Sequence, residues 1–231
     1  MWRTFSDAVS RRLWTLDSNA LCADVRHRTG LEDFGTPAVE PALSILVNSL
    51  KHEAGLHLTG RFLMQNHLRQ ILETRLRLAE AWKKKSEGLA ASPIVRPWFI
   101  TGMPRSGSTF LHELMAEDPD NRVPRVWEVM FPIQAPAPAR GPDPRIRKAA
   151  ACLWGFRCLA PGADSVHPMR ASTPQECVAI LNYTLMSEAF VSTCRVPAYK
   201  TYLRSADHRQ AYGRDTFSKI CNCNALASDG C

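Results

Sequence analysis

The chain has 231 residues, and its 45% apolar content is enough for one sizeable core with a helical appendage. A net charge of +7 suits a polyanionic ligand, but no aromatic–basic interleaving or DNA-binding motif accompanies it, which argues against nucleic acid. No apolar run approaches the ~20 residues of a membrane span. The start, Met1-Trp2-Arg3-Thr4-Phe5-Ser6-Asp7, lacks the apolar core of a secretion signal. A cytoplasmic location with reduced cysteines is therefore expected. Cys221-Asn222-Cys223 is too tightly spaced for a zinc hook, and no metal is expected.

In chain order, residues 5–28 read as a moderately amphipathic helix, with Val9, Leu13, Leu16 and Leu21 near one face. A loop follows over residues 29–35. A second helix begins near Pro41, and Leu43, Leu46, Val47 and Leu50 keep helical spacing. Gly55 and Gly60 bracket a break. A long helix over about residues 59–86 carries Leu68, Ile71, Leu72, Leu76 and Ala79 as its stripe, with Lys83, Lys84 and Lys85 at its dipole-negative end. Residues 88–97 connect this helical region to a short apolar run, Trp98-Phe99-Ile100, with the length and composition of a buried strand.

That run leads directly into Gly102-Met103-Pro104-Arg105-Ser106-Gly107-Ser108-Thr109. Beyond Gly107, Phe110, Leu111, Leu114 and Met115 mark a helix. Strand, glycine-bounded loop and helix make a phosphate-binding unit. Loop N–H groups point into one concavity, and the helix N-terminus adds partial positive charge. A triphosphate P-loop would carry lysine where Ser108 stands; here the cation lies inside the loop, at Arg105. The grip on a γ-phosphate is thus missing. A P-loop kinase of a small substrate, with Mg²⁺-dependent ATP turnover, is a rival weakened by this departure.

Asp118-Pro119-Asp120-Asn121 is a turn cluster. Residues 123–129 read as a short strand or an extended segment. Residues 132–144 are a Pro/Ala-rich loop. Asp143-Pro144 starts a helix to about Leu159, with proline at the first helical position. Thr173 and Glu176 have capping-box spacing for a helix running through Ile180, Leu181 and Leu185. A last helix is expected from Pro197 to Tyr212.

The loop Gly102–Thr109 resembles the 5′-phosphosulfate loop of sulfotransferases that use 3′-phosphoadenosine-5′-phosphosulfate (PAPS), in particular the bacterial-type family. Further segments are similar to that family: Thr29-Gly30-Leu31-Glu32-Asp33-Phe34-Gly35, Arg122-Val123-Pro124-Arg125-Val126-Trp127-Glu128, Asp143-Pro144-Arg145-Ile146-Arg147, His167-Pro168, Pro174-Gln175-Glu176-Cys177, Val196-Pro197-Ala198-Tyr199 and Ala206-Asp207-His208-Arg209. The likeness covers roughly residues 29–212. It implies an α/β P-loop fold with a parallel sheet, behind a helical N-terminal region over 1–92. The partial sulfotransferase domain would span 93–212.

The resemblance also implies a chemistry. A sulfuryl group moves from PAPS to a hydroxyl or amine of an unidentified acceptor, without metal. Arg105, Ser106, Gly107, Ser108 and Thr109 would bind the nucleotide. Arg105, at a position where cytosolic sulfotransferases commonly carry lysine, would stabilise charge on the leaving phosphate and not act as an acid. Glu128 stands where tyrosylprotein and bacterial-type enzymes carry the glutamate that accepts the acceptor's proton. Desolvation beside Trp127 would favour that role, while pairing with Arg125 would make it structural. His167 is the second candidate.

Residues 213–231 are polar and cysteine-rich, with no likeness to the family's remaining strands or to its segment for the 3′-phosphate. The expectation is an incomplete C-terminal half, a chain truncated relative to its family. A catalytically dead fragment that binds nucleotide or a partner is accordingly the other rival reading.

Overall fold

The computed structural model describes residues 16–84, 97–103, 106–133, 141–162, 165, 168–209 and 211–212. Expectations for residues 5–15, Lys85, most of the connector before Pro97, Pro104, Arg105, residues 134–140, His167 and residues 213–231 lie outside them.

Among the described residues the helices are α1 (Ser18–Thr29), α2 (Glu40–His52), α3 (Leu58–Lys84), α4 (Ser108–Met115), α5 (Val126–Met130), α6 (Pro144–Leu159), α7 (Cys177–Leu181), α8 (Ala189–Thr193) and α9 (Pro197–Ser205). A 3₁₀ turn, Asn182–Thr184, follows α7. No described helix is long and apolar enough to cross a membrane. The described parts of 1–85 and 178–216 cluster as one compact unit, and those of 86–177 as another.

In the first unit the helix ends are set locally. The Asp17 carboxylate accepts the Ala20 N–H at 2.8 Å and caps α1. At the other end Gly30, at φ 67°, returns its N–H to the Arg26 carbonyl. Leu21, Val25, Leu43, Leu46, Leu50, Leu68, Leu72 and Leu76 are buried where α1, α2 and α3 meet, each contributing about 1.5–3 kcal/mol by leaving water. Asp24 and Arg69 pair at 2.6 Å and tie α1 to α3. Arg75 is buried in α3, and donates from Nε to the Phe34 carbonyl and from Nη2 to the Pro37 carbonyl, at 2.6 and 3.0 Å. Burial pulls its guanidinium down to about 10.

α9 packs on α2. The Glu53 carboxylate, just beyond α2, accepts the Ser49 hydroxyl and, at 3.2 Å, the Ala198 N–H in the first turn of α9. Tyr199 is wholly buried and donates its hydroxyl to the Leu185 carbonyl at 2.8 Å. Leu185 holds left-handed backbone, φ 55°, as the chain leaves the 3₁₀ turn. The helix expected to run through Leu185 therefore stops at Leu181. The last helix ends at Ser205 and not near Tyr212, because Asp207 accepts the Arg209 N–H in an Asx turn. α8 carried no clear sequence signal.

In the second unit, residues 97–103 pair with no strand among the described residues, and Trp98 and Phe99 are 77% and 83% exposed. α5 packs on α6, and Val126, Val129, Ala149 and Leu153 of these helices are buried. Asp143 caps α6 by accepting the Arg145 N–H at 2.8 Å, as its pairing with Pro144 predicts. Arg145 itself is buried, with its guanidinium 4.5 Å from the centre of the Trp127 ring. Where a strand or extended segment is expected over 123–129, the structure has extended residues up to Arg125 and then helix α5. Residues 171–175 run back along this segment. Arg125 forms an isolated antiparallel bridge with Pro174, the Val126 N–H reaches the Thr173 carbonyl, and the Gln175 N–H reaches the Pro124 carbonyl.

Candidate active site

The loop enters α4 through Gly107, whose φ of 87° is left-handed and disfavours any side chain. A Cβ on Gly102 would lie 2.7 Å from Ser106 Oγ, so the backbone and the Ser106 hydroxyl approach closely there. The first i→i−4 bond of α4 is Leu111 N–H to the Gly107 carbonyl, 3.0 Å. The amides of Ser108, Thr109 and Phe110 precede it, which is the arrangement that favours an anion at a helix start. Ser108 and Thr109 lie in the first turn of α4, and Ser106 immediately precedes its Gly107 cap. Such a helix start can receive an anion. Arg105, its expected cation, lies outside the described residues.

Glu128 is 6% exposed. Its carboxylate accepts from Arg122 Nη2 at 2.8 Å and Nη1 at 3.2 Å, and from the Arg125 N–H at 2.7 Å. The last bond is the half of a capping box open to an arginine cap, whose side chain has no acceptor to offer in return. The charge partner is therefore Arg122. The Arg125 guanidinium turns elsewhere, to the Ser172 carbonyl at 2.8 Å. Trp127 stacks against Arg145.

Glu176 does not serve Thr173. The Thr173 hydroxyl donates to the Arg170 carbonyl at 2.9 Å, and α7 starts only at Cys177. Instead the Glu176 carboxylate accepts the Thr109 hydroxyl at 2.8 Å. The sequence offers no sign of this pairing, because threonine–x–x–glutamate reads equally well as a local cap. Arg122 was likewise legible only as part of a matching segment.

This chain belongs to the sulfotransferase family, whose model matches residues 97–219. Among solved structures it is similar to sulfotransferase STF1 from Mycobacterium tuberculosis H37Rv, with 29% identity and a TM-score of 0.75 over 91% of this chain and 58% of that one. Sulfotransferase STF9 from Mycobacterium avium has the same fold at 22% identity, with a TM-score of 0.74 over 90% of this chain and 53% of that one. The chain thus spans less than two thirds of the length of these solved relatives. No curated protein matches the chain.

Proposed function

We propose that the chain takes part in transferring a sulfuryl group from PAPS to a hydroxyl or amine acceptor, on a P-loop fold with a parallel sheet. The observation that supports this best is the entry to α4. There a left-handed glycine leads into open first-turn amides, with Ser106, Ser108 and Thr109 adjacent in sequence, in the segment that matches the family. In the reaction, the bond from sulfur to the 5′-phosphate oxygen breaks and a bond from sulfur to the acceptor oxygen or nitrogen forms. The acceptor's proton passes to Glu128, and 3′-phosphoadenosine 5′-phosphate leaves. Arg105 and the loop amides offset the charge that develops on the leaving phosphate. Ser106, Gly107, Ser108 and Thr109 hold that phosphate. The reaction needs no metal.

A structural role for Glu128 is the second reading, favoured by its burial and by the three donors on its carboxylate. To accept a proton it must give up at least one of them. The test is formation of 3′-phosphoadenosine 5′-phosphate from PAPS with a panel of phenols, sugars and amines, with and without Mg²⁺. Acceptor-dependent, metal-independent product supports the proposal. Consumption of ATP in place of PAPS would replace it with the kinase reading, and nucleotide binding without turnover would leave a binding fragment.

A further inference from the structure

Thr109 sits in the first turn of α4, where the donor's 5′-phosphate is placed by the reading above, and this inference rests on that reading. Its hydroxyl has a single proton. That proton is donated to Glu176 Oε1 at 2.8 Å, so it is not available to a phosphate oxygen while the bond lasts. The bond also brings a carboxylate to the loop that is to receive an anion. The backbone that carries Glu176 is held in place. Its own N–H donates to Gln175 Oε1 at 2.9 Å, and the Gln175 N–H donates to the Pro124 carbonyl at 2.9 Å. The bridge between Pro174 and Arg125 fixes the same strip one residue earlier.

We propose that Glu176 is an internal competitor for the donor anion. Its carboxylate holds the Thr109 hydroxyl in the empty loop and is displaced when the 5′-phosphate of the nucleotide binds, so that Thr109 turns its proton to the phosphate. Glu176 is then a positioning residue that sets donor affinity through Thr109. Its function is to keep the loop's hydroxyl oriented while lowering its affinity for the nucleotide, which eases release of 3′-phosphoadenosine 5′-phosphate after transfer.

The carboxylate's cost to the nucleotide has two parts. One is a charge-assisted hydrogen bond that must be given up, roughly twice as strong as a neutral one. The other is repulsion between like charges a few ångströms apart. Glu176→Gln keeps the shape and a neutral acceptor but removes the charge. It is expected to tighten 3′-phosphoadenosine 5′-phosphate binding about tenfold, measured by calorimetry on the full chain. In a Thr109→Val background the same substitution should tighten binding less, by about threefold, because the shared proton is gone and only the repulsion between like charges remains to be relieved. Glu176→Ala, checked for an intact thermal transition, is the second variant and should also tighten binding.

A purely structural glutamate would give the opposite sign, with weaker binding and a lower transition temperature in both variants. Equal or weaker binding by the Gln and Ala variants, with the unsubstituted chain binding well, overturns the competitor role alone. Absence of nucleotide binding in every variant overturns the donor-site reading and this inference with it. Binding that appears only once Glu176 is replaced supports both.

Discussion

Arg122 grips Glu128 with both terminal guanidinium nitrogens, at 2.8 and 3.2 Å, while the glutamate also accepts the Arg125 N–H at 2.7 Å. One carboxylate thus fixes the start of α5 and is also the residue proposed to take the acceptor's proton. The two roles separate on substitution. In a version of the protein that turns over, Glu128→Gln should lower turnover by ~10²–10⁴-fold, the span of a general-base contribution, with nucleotide affinity nearly unchanged. Full activity in that variant would move the base to His167. Loss of nucleotide binding together with activity would make Glu128 a support of the site. Arg122→Ala should cost about 1 kcal/mol in chemical denaturation, since Arg122 is half exposed and solvent screens much of the pair.

Within the loop, Arg105→Ala should weaken binding of 3′-phosphoadenosine 5′-phosphate more than Ser106→Ala does. The first change deletes a full charge and its charge-assisted hydrogen bonds, which are roughly twice as strong as neutral ones. Titration calorimetry on both variants compares them directly. Negligible effects from both would place the anion elsewhere.

Arg75→Met keeps most of the side chain's volume but removes the donors to the Phe34 and Pro37 carbonyls. The loop between α1 and α2 then loses both bonds, and the expected cost is about 2 kcal/mol. A urea unfolding midpoint shifted downward with an unchanged slope is the signature. An unmoved midpoint would show that the two carbonyls are equally well satisfied without Arg75.

Asp143 supplies a pH dependence. The hydrogen bonds from Arg145 hold its carboxyl below the ordinary carboxylate range in the folded state. In acid the unfolded chain therefore takes up a proton first. The contribution to stability is complete above the unfolded value of ~4 and fades as pH falls through the lower, folded one. Asp143→Asn retains a capping oxygen for the Arg145 N–H but has no proton to exchange. Its unfolding free energy should vary less with pH below about 4 than that of the unsubstituted chain. Parallel acid-denaturation curves for the two proteins would exclude Asp143 as a source of the dependence.

The sequence by itself determined the features whose causes lie within a few residues of one another. Asp143 and Pro144 start α6 where they are read to, the stripes of α2 and α3 are buried at the spacing read from their leucines, and Gly107 takes the left-handed turn into α4. Caps, periodicity and positive φ act through neighbouring backbone, so a short window contains them. Tertiary structure decided the rest. α5 is helical where an extended segment is expected, with Glu128 clamped at its start and residues 171–175 bonded alongside. Glu53 and Ala198 meet across 145 positions, and Thr109 and Glu176 across 67. In these cases a side chain chooses between a local backbone partner and a distant one of similar strength. Nothing in the local sequence separates those choices; packing brings the distant partner within reach.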